Sequence, residues 1–406
     1  MSSKNIDYKL FFAVLALIIF WMIMISSVSV YSSYRVTNLM VAKWEITEAY
    51  NYFYVLRNII SVIASMFALA IVVKIKYQFF EKYSKWIFWL CITWMFIVLV
   101  LWIALNWAKW WIQIPWIPFT LQPSEFLKVW LIVFLAAYFK KNYNHLQDFQ
   151  KGFLPFMAII WWIVLLLALQ PDFWTIMVIW PIATIMYFYA WMNPKHLLLL
   201  MALWSTLFVT IYSIWDYDKE TWKNLNTLWY VTQRIDNFLE RNEDAIKNET
   251  INHQTKQALI AIWSWWFKWK WFWGSIQKFW YLPEVQWDFI FAAVIEELWF
   301  FWWIIMMSVY LFIWYRWLYI ASRVKDKFAK FTAIWITSRI LIQAFINIWV
   351  NLNIVPLTGL TLPFVSYWGS SLLSLMIWLW ILLSISRDVD EDVVKKRDRN
   401  KILLSV

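Results

Sequence analysis

Apolar runs long enough to cross a membrane as helices recur along the whole chain, separated by short polar or charged stretches. Ten fall near residues 10–30, 56–74, 86–105, 122–139, 153–170, 172–190, 196–214, 289–314, 329–350 and 363–386. This pattern predicts an all-α polytopic membrane protein of about ten transmembrane helices, with residues 1–406 forming one integral-membrane domain. The first run is too long and too poorly flanked for a cleaved leader and reads as a retained span. One long connection, residues 215–288, separates the seventh and eighth spans. Within it, "DNFLERNEDAIKNETINHQTKQ" has the charged, helix-forming character of a segment lying on the membrane surface. The connection from Asn351 to Leu362 carries no charge but holds Pro356 and Gly359, with Pro363 just beyond. Irregular backbone of this kind is tolerated at membrane depth only where it is buried in protein or lines a cavity.

Composition strengthens this picture, since 63% of the 406 residues are hydrophobic. The net charge of +11 becomes informative once it is placed on the connections. Lys74, Lys82, Lys140, Lys151, Lys195, Arg316 and Lys325 fall on one side, joined by the basic tail over residues 387–406. The positive-inside rule makes that side cytoplasmic, puts both termini inside and leaves residues 215–288 as a long extracytoplasmic loop. The charge therefore calls for no nucleic acid. Cys91, the single cysteine, lies inside an apolar run, which excludes a disulfide framework and a thiolate metal site.

Ionisable groups in or beside apolar spans are costly, so each is a functional candidate. "LQPSEFLKVW" sets Ser124, Glu125 and Lys128 at the outer start of the fourth span, with Glu125 and Lys128 one helical turn apart. "LQPDFW" places Asp172 in a short outer turn. "YLPEVQWDFIFAAVIEEL" places Glu284 and Asp288 at the outer mouth of the eighth span and Glu296 and Glu297 deeper. Arg339 lies within the ninth span, followed by Asn347, Asn351 and Asn353. Acids and bases converging on one face suit a phosphate-bearing substrate with a hydroxyl to be activated. Each also has a plainer reading: Glu125 and Lys128 as an internal ion pair, Asp172 and Asp288 as helix caps, Arg339 as a structural partner for an acid. His145, His196 and His253 are scattered without metal-ligand spacing, and no phosphate loop, nucleophile elbow or zinc motif occurs. Spacing alone leaves transporter and enzyme both open.

In their order along the chain, "IPFTLQPSEFLK", "LLALQPDFWT", "VTQRIDNFL", "QALIAIWSWWFKWKWFWGS", "YLPEVQWDFIFAAVIEELWF" and "VPLTGLTLPFVSYWGSSLL" resemble the FtsW/RodA (SEDS) family of cell-wall membrane proteins. The last motif leans toward the division branch. The resemblance also bears on the 38 tryptophans and 4 glycines. Relatives carry glycine where this chain has Trp174, Trp263, Trp265, Trp266, Trp269, Trp271, Trp273, Trp299 and Trp368. The chain is about 1% glycine, against about 7% in an average protein. The resemblance thus implies that UGA codons of this gene are read as glycine in the cell. Trp111, in "NWAKWWIQIP", matches a tryptophan that relatives share. A literal reading would make residues 261–273 a Trp/Lys-rich interfacial segment.

The resemblance implies a peptidoglycan glycosyltransferase that polymerises lipid II into glycan strands at the outer face of the bacterial plasma membrane during division or elongation. A lipid II flippase is the runner-up, and a scaffold is the third possibility. By the same resemblance Asp288 is the catalytic base, Lys128 and Arg234 offset the pyrophosphate charge, and Trp111, Glu125, Asp172, Gln233 and Glu284 contact substrate. A divalent cation, magnesium or manganese, would assist, and no nucleotide is needed. The implied partner is a single-span penicillin-binding transpeptidase. One departure stands beside the catalytic aspartate: many relatives carry a His-Thr pair where this chain has Gln286 and Trp287.

Overall fold

The computed structural model describes residues 6–72, 74–105, 121–170, 172–190, 193–217, 234, 238, 249–264, 272–280, 282, 285–367 and 369–389. Thirteen α-helices occur among them, and no β-strand. They are α1 (Tyr8–Val28), α2 (Val30–Ala42), α3 (Phe53–Val72), α4 (Tyr77–Leu105), α5 (Pro123–Lys141), α6 (Leu154–Leu169) and α7 (Phe173–Tyr189). After them come α8 (Pro194–Tyr217), α9 (Glu249–Ser264), α10 (Gln277–Trp280), α11 (Ile290–Arg323), α12 (Lys327–Asn351) and α13 (Gly369–Ser386).

Each of the ten apolar runs coincides with a helix, and 7 of the described helical segments are long and apolar enough to cross a membrane. The other three runs are the helices α5, α7 and α8. Charge explains the shortfall of α5, which carries Glu125, Lys128, Lys140 and Lys141 within 19 residues. The helix α7 has only 17 residues. Two helices depart from the sequence pattern. The segment α2 follows α1 after Ser29, and its mixed polarity gave no membrane-length signal. In the long insertion α9, which has no apolar run of spanning length, packs against α11 and α12 and buries Ala258, Ala261 and Ile262, beyond the charged segment that ends at Gln257.

Local chemistry fixes the helix ends. Pro123 opens α5 behind an extended Gln122, with Glu125 in the first turn and Lys140 and Lys141 in the last, the order the helix dipole favours. Asp7, Asp172 and Asp326 cap α1, α7 and α12 by accepting from the N–H groups of Leu10, Thr175 and Phe328.

Of the 7 candidate spans, α12 and α13 are the most enclosed. The helix α12 packs against α11, α5 and α7, while α13 packs chiefly on α3. At one end of the bundle, Arg316 of α11 binds Asp7 at 2.6 Å, and the Asp7 N–H donates to Ser386 of α13. Lys140 of α5 there joins Glu81 of α4 and Asp326 at the start of α12. The basic connections of the sequence gather at this end. The opposite end carries the start of α5, the start of α7, the start of α11 and the end of α12, and with them every described candidate residue.

The uncharged connection between α12 and α13 is buried at Leu357, Thr358, Leu360, Leu362 and Val365, as irregular backbone in a bundle must be. Its polar groups are met from two helices and from within the connection itself. Gln343 Nε2 donates to the Thr361 carbonyl at 3.0 Å, Tyr310 Oη to the Pro363 carbonyl, and Ser366 Oγ accepts from Leu362 N–H at 2.8 Å.

Five described non-glycine residues have positive φ, and three are tryptophans: Trp44 (61°), Trp273 (72°) and Trp299 (72°). Trp299 interrupts α11 with ψ at 164°, a combination essentially restricted to glycine.

Candidate active site

Two groups of ionisable residues form at the same end of the bundle. The first is fully enclosed. Lys128 pairs with Glu125 along α5, and Arg339 of α12 reaches the other oxygen of Glu125 at 3.1 Å. One carboxylate thus serves two cations, each buried, and the Arg339 guanidinium also lies 5.0 Å from the Trp378 ring. Asp172 stands within electrostatic reach of Lys128. Its own oxygens accept from Thr175 N–H at 3.2 Å and Thr175 Oγ1 at 2.8 Å. The plainer readings of these residues, ion pair and helix cap, are therefore realised geometrically.

The second group is half-open. Asp288 sits in the turn before α11, and Arg234, from the long insertion, faces it. Burial pushes the Arg234 guanidinium down to about 10, while the Asp288 carboxylate works in the other direction, so the cation persists at neutral pH. Arg234 Nη1 donates to the Leu357 carbonyl at 2.9 Å. Gly359, exposed with φ at 69°, lies between the two: a Cβ built on it would stand 3.5 Å from Asp288 Oδ2 and 3.7 Å from Arg234 Nη1.

A column of side chains on α12 joins the two groups. Arg339, Gln343, Asn347 and Asn351 follow at four-residue spacing, which aligns them on one helix face. Arg339 holds Glu125, and Gln343 holds the Thr361 carbonyl and hydroxyl. Asn347 Nδ2 donates to the Leu360 carbonyl at 2.7 Å and to the Asp288 carbonyl at 3.0 Å. Asn351 Nδ2 donates to the same Asp288 carbonyl at 3.0 Å, and its Oδ1 accepts from Ala292 N–H. The backbone of the candidate base is clamped twice from one helix.

Sequence reasoning named Asn347 and Asn351 as polar but gave them no role. Their four-residue step from Arg339 and Gln343 was the signal available. It passed over Lys278 altogether. That ammonium is buried and donates at 2.8 Å to Glu297, to Ser27 of α1 and to the Trp273 carbonyl, while Glu296 accepts from Ser275. This further cluster pins the end of the long insertion to α1 and α11. Beside Asp288, Trp287 packs edge-on against Tyr54 and Tyr367. Trp111, Gln233 and Glu284 lie outside the described residues. Among the described residues, no three of His, Cys, Asp and Glu converge on a point where a metal could bind.

These features define a multi-pass, all-helical membrane protein with a carboxylate–guanidinium cleft at one end of the bundle, braced from below by a buried charge network. The chain belongs to the FtsW/RodA/SpoVE family, described as cell cycle proteins, whose family model matches residues 8–391. It is 31% identical over 396 residues to a probable peptidoglycan glycosyltransferase FtsW of Bacillus subtilis, an alignment spanning 97% of this chain and 94% of the relative. It is 30% identical over 339 residues to the stage V sporulation protein E of the same organism, covering 83% of this chain and 88% of that one. Among solved structures, the fold is shared with a chain of a peptidoglycan synthase complex described as coordinating polymerization and crosslinking. That match has a TM-score of 0.67 and 21% identity over 95% of this chain and 98% of the other. The rod shape determining protein RodA of Thermus thermophilus matches with a TM-score of 0.62 and 19% identity over the same shares.

Proposed function

We propose that the protein is a peptidoglycan glycosyltransferase that polymerises lipid II. The observation that carries this reading is the meeting of Asp288 and Arg234 across Gly359, with the Asp288 backbone held by Asn347 and Asn351. The name of the FtsW relative, a probable peptidoglycan glycosyltransferase, supports a substrate of the peptidoglycan class. In the reaction, a sugar hydroxyl of one lipid-linked unit gives its proton to the Asp288 carboxylate. The oxygen then attacks the anomeric carbon of the other unit. A new glycosidic C–O bond forms, the bond from that carbon to the pyrophosphate breaks, and the electron pair departs on the lipid pyrophosphate. Arg234 offsets the charge that develops there. Lys128, engaged by Glu125, acts through the enclosed network that sets the helices beneath the cleft. Trp111, Gln233 and Glu284 are proposed as substrate contacts from the family motif.

The positions of the basic connections support cytoplasmic termini and a cleft that opens on the outer face. The structural neighbour from a synthase complex supports a penicillin-binding transpeptidase as partner. The decisive test is purified protein in detergent with lipid II. Wild type should build long glycan, and Asp288→Asn should lose about 10²- to 10⁴-fold in rate, the usual worth of a general base, while inserting normally. A flippase has no membrane to cross in detergent and would make no polymer. Undiminished polymer from Asp288→Asn would remove the carboxylate from the mechanism.

A further inference from the structure

The turn carrying Gly359 is fixed on both sides of the glycine. On one side, Arg234 Nη1 holds the Leu357 carbonyl at 2.9 Å. On the other, Asn347 Nδ2 holds the Leu360 carbonyl at 2.7 Å. The facing wall is fixed as well, because the Asp288 carbonyl accepts from both Asn347 and Asn351. A Cβ on Gly359 would stand at ordinary contact distance from the Asp288 carboxylate and the Arg234 guanidinium, 3.5 Å and 3.7 Å, so a side chain there would occupy the gap between them without either wall having to move. Among the described residues, and apart from its neighbours in the chain, Asp288 Oδ2 and Arg234 Nη1 are the atoms within 4 Å of the point where a Gly359 Cβ would stand. The hydrogen atom at that point therefore faces the carboxylate and the guanidinium, and the residue is exposed.

We propose that Gly359 is a positioning residue that sets the width of the cleft between Asp288 and Arg234 and so admits the reacting hydroxyl to the carboxylate. This inference rests on the glycosyltransferase reading. It differs from the usual account of a glycine in a turn, which would assign only backbone freedom. With φ at 69°, Gly359 does need a left-handed backbone, so the two roles must be separated by the choice of side chain. Alanine is small but tolerates positive φ poorly; asparagine tolerates it well but is large and polar. A purely conformational role ranks activity Gly, then Asn, then Ala. A cleft-width role ranks it Gly, then Ala, then Asn.

The experiment compares wild type, Gly359→Ala, Gly359→Asn and Asp288→Asn as purified full-length protein, following lipid II polymerisation and thermal unfolding in detergent. The expected result is a fall in kcat of about tenfold for Gly359→Ala and at least a hundredfold for Gly359→Asn. KM should change less than threefold, and Gly359→Asn should unfold within a few degrees of wild type. The lipid and pyrophosphate remain bound while the hydroxyl is displaced. Greater activity in Gly359→Asn than in Gly359→Ala, or wild-type kcat in either, would overturn the cleft-width role and leave the Asp288 assignment standing. Wild type without polymerase activity would overturn both.

Discussion

At the scale of single residues, the tryptophans carry the sharpest information. Trp299 has a backbone conformation that a side chain resists, and Trp44 and Trp273 share its positive φ. Trp21, Trp317, Trp335, Trp378 and Trp380 are buried with an indole N–H that has no acceptor, although a buried indole normally finds one. Each such donor costs about 1–3 kcal/mol. Glycine removes both the steric and the polar conflict. We propose that Trp273 and Trp299 are glycine in the native cell, as the comparison with relatives implied, and that Trp44 belongs with them on its φ alone. Peptide mass spectrometry of protein from the native organism should show the Trp-to-Gly mass difference at all three. Intact tryptophan at Trp299 would retire the idea. Trp265, Trp266, Trp269, Trp271 and Trp368 lie outside the described residues, so the same digest should include their peptides.

At the scale of elements, the pairing of α5 with α12 makes an asymmetric prediction. Glu125 is the only described carboxylate that binds Lys128 and Arg339. Glu125→Leu strands two buried cations, whereas Arg339→Leu leaves the Glu125–Lys128 pair intact. Breaking a buried pair costs about 3–5 kcal/mol, most of it the uncompensated charge. Glu125→Leu should therefore lower the unfolding temperature in detergent clearly more than Arg339→Leu. Equal losses would show that the network is not organised around Glu125. Much of this element was legible in advance: the turn-long spacing of Glu125 and Lys128 and the intramembrane Arg339 were both visible in the sequence. The sequence could not show that they meet, because 214 residues separate Glu125 from Arg339. Gly359 was visible only as a breaker, since its role depends on two side chains that the fold brings to it. The helices themselves were well marked by apolar run length. The mixed-polarity α2 was not, because membrane-length hydropathy is blind to a helix that does not need to cross.

At the scale of the whole molecule, the two ends of the bundle are chemically distinct. One end gathers Asp7, Arg316, Glu81, Lys140 and Asp326 into ties among five helix ends. The other holds the cleft. Cys91 is buried, which makes topology measurable with little background. Cysteines introduced at Glu48, in the connection after α2, and at Asp388, just past α13, should label from opposite sides with a membrane-impermeant thiol reagent. Glu48→Cys should react in intact cells and Asp388→Cys only after the membrane is opened. The reverse pattern would invert the orientation proposed from the basic connections and put the cleft on the wrong face for wall synthesis.

The polar column on α12 has one more implication. Its rungs lie about 6 Å apart along the helix axis, and they differ: a guanidinium, a longer amide and two shorter ones. Sliding α12 by one turn would bring Gln343 to the level where Glu125 now meets Arg339, leaving the carboxylate with one cation in place of two. The column therefore works as a key with one seating. Apolar contact is non-directional, so by itself it gives only modest resistance to sliding along the helix axis. The key supplies the rest, and so it fixes the depth at which the Asp288 carboxylate is presented.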